Sequence, residues 1–119
     1  MHRSKAAGLT RGLEDLPVTL TPRRVAQLRE IAAQDHAEQA AVLHALADHR
    51  RLKALAAFQG GELCACVLVQ LLGLKPSALS YHLSLLADAG LVRSRRDGSF
   101  QLYALTPRGE LALELLRKL

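Results

Sequence analysis

Two helical stretches joined by a tight turn at Gly73-Leu74-Lys75, followed by a change to alternating periodicity around Asp97-Gly98, predict a mainly α chain with a β-hairpin wing. Helical patterns also precede and follow these elements. The fold class is therefore a winged helix-turn-helix with helices at both ends. A composition of 26 Leu and 19 Ala in 119 residues agrees with the helical part.

The elements can be read in order. Residues 1–20 scatter Gly, Pro and charge without a period and are expected to be a mobile arm ahead of one domain over 21–119. Thr21-Pro22 is a helix start, an N-cap followed by Pro at the first position, and Val25, Leu28, Ile31 and Ala32 then follow helical spacing. A second helix runs from near His36 through Leu43 and Leu46. Asp48 can cap a third, which carries Leu52, Leu55, Ala56 and Phe58 on one side and stops at Gly60-Gly61.

Glu62 to Leu72 reads as a short helix closed by Gly73. Pro76 opens the next, where Leu79, Leu83 and Leu86 face inward and Gly90 ends the run. Leu91-Val92-Arg93-Ser94-Arg95-Arg96 and Phe100-Gln101-Leu102-Tyr103-Ala104-Leu105 flank Asp97-Gly98, a strong hairpin signal. Thr106-Pro107 starts a last helix with Leu111, Leu115, Leu116 and Leu119 on one side.

Composition excludes several classes of function. Net charge is +5 and the isoelectric point is near 9.8, which suggests a polyanionic partner. Aromatic residues are only 3% with no Trp, which argues against a single-strand binder that stacks bases. Two Cys are too few for a disulfide-built secreted scaffold or a four-thiolate zinc site. The uncharged run Leu63–Leu74 is 12 residues, short of the roughly 20 that a membrane span needs. The basic start Met1-His2-Arg3-Ser4-Lys5 has no apolar stretch after it, so no signal peptide, no membrane partner and a cytoplasmic location are expected. No complete nucleophile, base and orienting group is apparent, so the chain is not read as an enzyme, and nothing calls for an organic cofactor.

In a helix-turn-helix the second helix enters the major groove of double-stranded DNA. Here that helix spans about Pro76 to Ala89, and its early side offers Ser77, Ala78, Ser80, Tyr81 and His82. Hydroxyls bond bases or phosphates, and a small Ala78 can approach a thymine methyl. Lys75 just before it suits a phosphate. In the wing, Arg93, Arg95 and Arg96 place three cations in four residues, suited to phosphates or an adjacent minor groove. The plainer alternatives are a charged strand edge for the arginines and a core histidine for His82.

Cys64 and Cys66 form the other informative group. In a regular helix, residues two apart point about 200° apart and cannot share an ion. In a strand they lie on one face. At a helix start they converge only if the first turn is distorted, so ligand binding would deform the first helix of the DNA-binding motif. A disulfide is disfavoured on the same grounds. Two small buried residues are the plain alternative.

Four stretches together make the chain resemble the arsenic-repressor (ArsR/SmtB) family of winged-helix repressors. They are Ala45-Leu46-Ala47-Asp48-His49-Arg50-Arg51-Leu52, Glu62-Leu63-Cys64-Ala65-Cys66, Ser80-Tyr81-His82-Leu83-Ser84-Leu85-Leu86 and Ala89-Gly90-Leu91-Val92. The strand ending Leu102-Tyr103-Ala104-Leu105 also fits, and the likeness covers about residues 36–110.

The resemblance implies a homodimeric repressor on a palindromic operator, released by trivalent arsenic or antimony held by Cys64 and Cys66. It makes 21–119 a DNA-binding and dimerisation domain. Val25, Leu28 and Ile31 of the first helix and Leu111, Leu115 and Leu119 of the last are expected at the dimer interface. The chain departs from the family pattern in having Val67 and Val69 where an Asp and a third Cys usually follow the pair, and His49 in place of a common Pro. The last helix has Glu110 and Glu114 but no His, so the family's zinc-type site is not expected there. A third arsenic ligand would then be water, hydroxide, an organic substituent, or a histidine such as His44 or His49. A redox-sensing pair, or a constitutive DNA-binding protein with structural cysteines, are the competing readings.

Overall fold

The structure, a computed structural model, describes residues 16–119. Of the arm expected over 1–20, residues 1–15 lie outside the described residues, and 16–20 form neither helix nor strand. The chain divides between His36 and Ala37 into two compact units. The first contains helix α1 (Pro22–Ala33), started as expected by Thr21, whose hydroxyl accepts the Arg24 amide at 3.1 Å.

The second unit carries α2 (Ala37–Leu46), α3 (His49–Ala57) with a 3-10 turn over Phe58–Gly60, and β1 (Leu63–Cys64). It continues with α4 (Ala65–Leu72), α5 (Pro76–Asp88), β2 (Val92–Asp97), β3 (Phe100–Leu105) and α6 (Pro107–Lys118). The start signals act as their chemistry requires. The Asp48 carboxylate accepts the Arg50 and Arg51 amides at 2.8 and 3.3 Å, and the Thr106 hydroxyl accepts the Gly109 amide at 3.1 Å. Gly73 closes α4 in the left-handed region at φ 63°, a conformation that L side chains rarely adopt, and so sets the turn of the helix-turn-helix.

The winged helix-turn-helix is therefore present, with one difference at its start. The stretch Glu62–Leu72 is not a single helix. Leu63 and Cys64 are extended and pair with β3, and the helix begins only at Ala65. The sheet has the order β1-β3-β2, all antiparallel, with Cys64 opposite Leu102 and Leu102 opposite Arg95. A two-residue strand is too short to show a period, and its apolar residues merge with the helical pattern that follows.

The core gathers Leu55 and Phe58 from α3 and its 3-10 turn, Leu68 from α4, and Leu79, Leu83 and Leu86 from α5. Leu91, Val92, Ala112 and Leu113 complete it from the wing base and α6. Helix α6 approaches the wing base closely, since a Cβ on Gly109 would lie 2.0 Å from the Leu91 carbonyl oxygen. Only glycine fits there. On α3 the buried alanine is Ala54, not the expected Ala56.

One charged group lies within this core. Arg51 is only 5% exposed, and its guanidinium donates to the Ala45 carbonyl at 2.6 Å, the His44 carbonyl at 3.2 Å and His82 Nδ1 at 2.9 Å. Arginine has no acceptor. His82 must therefore present the Nδ1 lone pair, which requires a neutral ring with its proton on Nε2. Burial lowers the His82 pKa, and the neighbouring Arg50 and Arg51 charges add to that.

Two outcomes follow for stability. Arg51→Ala strands the buried Ala45 carbonyl and the His82 nitrogen, and is expected to cost about 3 kcal/mol in urea unfolding. His82 is neutral when folded and has an ordinary pKa near 6.5 when unfolded, so acid favours the unfolded chain. Its contribution is complete above about pH 6.5 and is lost as pH falls below that value. Thermal unfolding midpoints should fall more steeply between pH 7 and 5 in the wild type than in His82→Gln, whose amide oxygen can accept the same bond without titrating.

Candidate nucleic-acid interface and thiol site

Helix α5 buries Leu79, Leu83 and Leu86 and turns the opposite side outward. Ser77, Ser80 and Tyr81 are exposed, Ala78 is half-buried, and Lys75 is exposed at the N-cap position. Five of the six residues expected on or just before this helix thus share accessible surface. His82 does not. It is 5% exposed and committed to Arg51, which corrects its place among the DNA-reading residues. Its position three residues after Leu79 and next to Leu83 puts it on the apolar side. Ser84 is exposed and lies at helical spacing from Ser77, Ser80 and Tyr81, so it joins the outward face; that spacing was its signal in the sequence.

Arg93, Arg95 and Arg96 are all exposed on β2. They differ in what holds them. Arg93 and Arg95 share one face of the strand, and Arg96 points to the other. Arg95 forms a two-point pair with Glu62, at 2.8 Å from Nε and 2.5 Å from Nη2. The hydrogen bond from Arg95 holds the Glu62 carboxyl below its usual pKa and raises that of Arg95 in turn. The pair is exposed, so it adds little to stability in water, but it orients Arg95 along the sheet.

The thiol pair lies at the junction of sheet and helix. Cys64 is extended, ends β1 and is the N-cap of α4, its sulfur accepting the Cys66 amide at 3.3 Å. This geometry corrects the expectations that at a helix start the pair converges only if the first turn is distorted and that a disulfide is disfavoured. The 100° rotation per residue applies only inside a helix, and Cys64 is outside it. The sulfurs meet without distortion of α4, the Cα atoms are 5.3 Å apart, and the two residues are joined in a disulfide. Among the described residues no group of three or more His, Cys, Asp and Glu gathers at a point that could hold a metal, so no third side-chain ligand joins the pair.

The second unit also exposes apolar surface. Leu43 is 60% exposed, and Leu111, Leu115 and Leu119 of α6 are exposed with it. A hollow of about 220 Å³ between α2 and α6 is lined by Leu43, Leu46, Leu52, Leu115, Leu116 and Leu119. In the first unit Ile31 is exposed, with Val25 and Leu28 half-buried.

Residues 48–94 match the pattern of the family described as bacterial regulatory protein, arsR family. A transcriptional repressor SmtB homolog of Synechocystis is 35% identical over 98 residues, covering 77% of this chain and 74% of that protein. The chain belongs to the arsR family. That family consists of DNA-binding transcriptional regulators, not enzymes. The arsenical resistance operon repressor of Staphylococcus aureus is 38% identical over 68 residues, covering 57% of this chain and 65% of its own length, so this chain spans just under two thirds of that relative. Among solved structures, the homodimeric winged helix-turn-helix DNA-binding domain Mb0332 of Mycobacterium bovis superposes with a TM-score of 0.64 at 27% identity, over 84% of this chain and 86% of that one. No helix among the described residues is long and apolar enough to cross a membrane.

The wing makes a measurable distinction. On random-sequence duplex DNA, Arg96→Ala should flatten the dependence of log K on log salt by about one unit, the value for one lost phosphate contact. Glu62→Gln releases Arg95 and should tighten binding and steepen the same slope. Unchanged slopes in both variants would assign these arginines to protection of a strand edge.

Proposed function

We propose that the chain is a dimeric transcriptional repressor that binds a palindromic operator and is released when trivalent arsenic or antimony bridges Cys64 and Cys66. The observation that carries this reading is the convergence of the two sulfurs at the N-cap of α4, the first helix of the helix-turn-helix. Soft thiolates suit soft ions, and anionic sulfur is favoured beside a helix N-terminus. The names of arsenical repressors among the relatives agree with the ion class.

Contact with DNA falls to Ser77, Ala78, Ser80 and Tyr81 of α5, with Lys75 and the wing arginines on phosphates. Two copies present two α5 helices to the half-sites of a symmetric operator. Leu111, Leu115 and Leu119, with Val25, Leu28 and Ile31 of α1, supply the apolar surface for the second copy. The homodimeric M. bovis domain supports that assembly.

The route from ligand to DNA is short. Cys64 is at once a strand residue opposite Leu102 and the cap of α4. A metalloid on its sulfur competes with the Cys66 amide for the same lone pairs and repositions the start of α4 against the wing. Moving a population from almost fully bound to almost fully free needs about 5.5 kcal/mol of differential binding. A second reading is favoured by the disulfide itself, in which oxidation of the pair replaces metalloid binding.

Cys64→Ser and Cys66→Ser are each expected to keep operator binding and lose release by arsenite, read by fluorescence anisotropy. A normal arsenite response in either variant would remove the thiols from the switch. Release of the wild type by peroxide alone would favour the redox reading. Leu115→Glu should shift the protein toward monomer in analytical ultracentrifugation and weaken palindrome binding at least tenfold; an unchanged dimer would take α6 out of the interface.

A further inference from the structure

Resting on the reading of the chain as an operator-binding repressor, we propose that Phe100 at the tip of the wing is a specificity-determining residue, whose ring enters the minor groove beside each half-site and favours a deformable base step there. The chain has two Phe, and the fold treats them oppositely. Phe58 is 2% exposed in the core, whereas Phe100 is 56% exposed at the start of β3. The base of the wing follows α5 directly, the Leu91 amide bonding to the Leu86 carbonyl at 2.9 Å. From buried Val92 onward every residue of β2 is exposed. Five residue steps carry the strand from Val92 to Asp97, about 17 Å. That exceeds the roughly 12 Å width of a major groove, so a wing rooted beside α5 has the length to reach the adjacent minor groove.

The register places the ring. Directly paired residues share a face, and Asp97 pairs with Phe100, Arg95 with Leu102 and Arg93 with Ala104. Phe100 is therefore on the face of Arg93 and Arg95, at its outer end. Gly98, in the left-handed region at φ 61°, turns the chain between the strands, so Phe100 is the large side chain nearest the tip. The arginines draw this ribbon to phosphate, but the Asp97 carboxylate opposite the ring repels it, so the outer end gains nothing by lying on the backbone. A ribbon with side chains on both faces is about 10 Å thick and a minor groove about 6 Å wide, so only the tip enters. There an apolar ring covers sugar and base surface and can part a base step, and pyrimidine–purine steps yield most easily. A-tracts are stiff and concentrate negative potential in a narrow groove, which disfavours both the ring and Asp97. The wing tip thus reads flexibility, where α5 reads base edges.

A duplex selected by the wild-type chain from a random pool supplies the operator, and two versions of it carry either CA/TG steps or A-tracts flanking both half-sites. Fluorescence anisotropy across a salt series then compares the wild type, Phe100→Ser and Phe100→Leu. The position is at the surface, and circular dichroism checks that both variants fold. Phe100→Ser should bind the CA/TG operator about tenfold more weakly at every salt concentration, the scale of one aromatic contact to a base, with the slope of log K against log salt unchanged. Leucine also serves as a wedge, so Phe100→Leu should recover most of that loss. The wild type should prefer CA/TG flanks to A-tracts, and Phe100→Ser should not. Wild-type affinity in Phe100→Ser, or the same flank preference in both proteins, overturns the proposal. So does a flattened salt slope in Phe100→Ser, because the ring would then act by placing the arginines. A shift of Phe100→Ser toward monomer in analytical ultracentrifugation would assign the ring to a protein contact and also overturn it. Failure of the wild type to select any duplex would overturn the operator-binding reading itself, and this proposal with it.

Discussion

The buried guanidinium of Arg51 holds the recognition helix to the rest of the domain. It donates to the Ala45 and His44 carbonyls near the end of α2 and to His82 of α5. Helix ends leave unsatisfied carbonyls, and a buried one needs a partner. Arg51 meets that need from α3, whose own start is fixed by Asp48. Three helices thus converge on one side chain, and α5 cannot roll without breaking a bond to a buried charge. An apolar residue at 51 could fill space but could not specify the roll of α5, and it is the roll that decides whether Ser77, Ser80 and Tyr81 point outward together.

Against this fixed point, the other end of the motif is lightly held. The start of α4 depends on a strand of two residues, on one N–H···S bond and on the disulfide between Cys64 and Cys66. Leu102 stands between Cys64 on one side and Arg95 on the other, so the thiol pair and a wing arginine are neighbours across roughly 10 Å, two strand spacings. Glu62, two residues before Cys64, is the carboxylate that holds Arg95. On the proposed function, a change at the thiols would reach the residue that the wing would offer to phosphate, as well as α4.

Most of the architecture was legible because its signals are local. Thr21-Pro22, Asp48, Gly73 and Thr106-Pro107 each act through atoms within a few residues, and each stands where the sequence placed it. Where the reading failed, the deciding interaction was distant. His82 was assigned to the surface beside Tyr81 although its spacing from Leu79 puts it on the apolar side, and the partner that holds it there is 31 residues away. Arg51 gave no signal, since an arginine in a basic stretch reads as solvated. The divergence expected for Cys64 and Cys66 followed correctly from helix geometry, but β1 exists only because β3 is there to pair with it.

The same distinction bears on Glu62. In sequence it is one acid before a cysteine motif; in the fold it holds Arg95, which would have to be released for the proposed phosphate contact. A carboxylate that neutralises a wing arginine in the free protein lowers the charge offered to non-specific DNA by one unit, and non-specific binding depends almost entirely on that charge. Binding at a true operator, where base contacts from α5 add to the phosphate contacts, can afford to break the exposed pair, while random sequence gains less from doing so. Glu62 would then widen the gap between operator and bulk DNA without touching a base. Its closeness to Cys64 would let the proposed inducer site and the specificity of the wing share a single short piece of backbone.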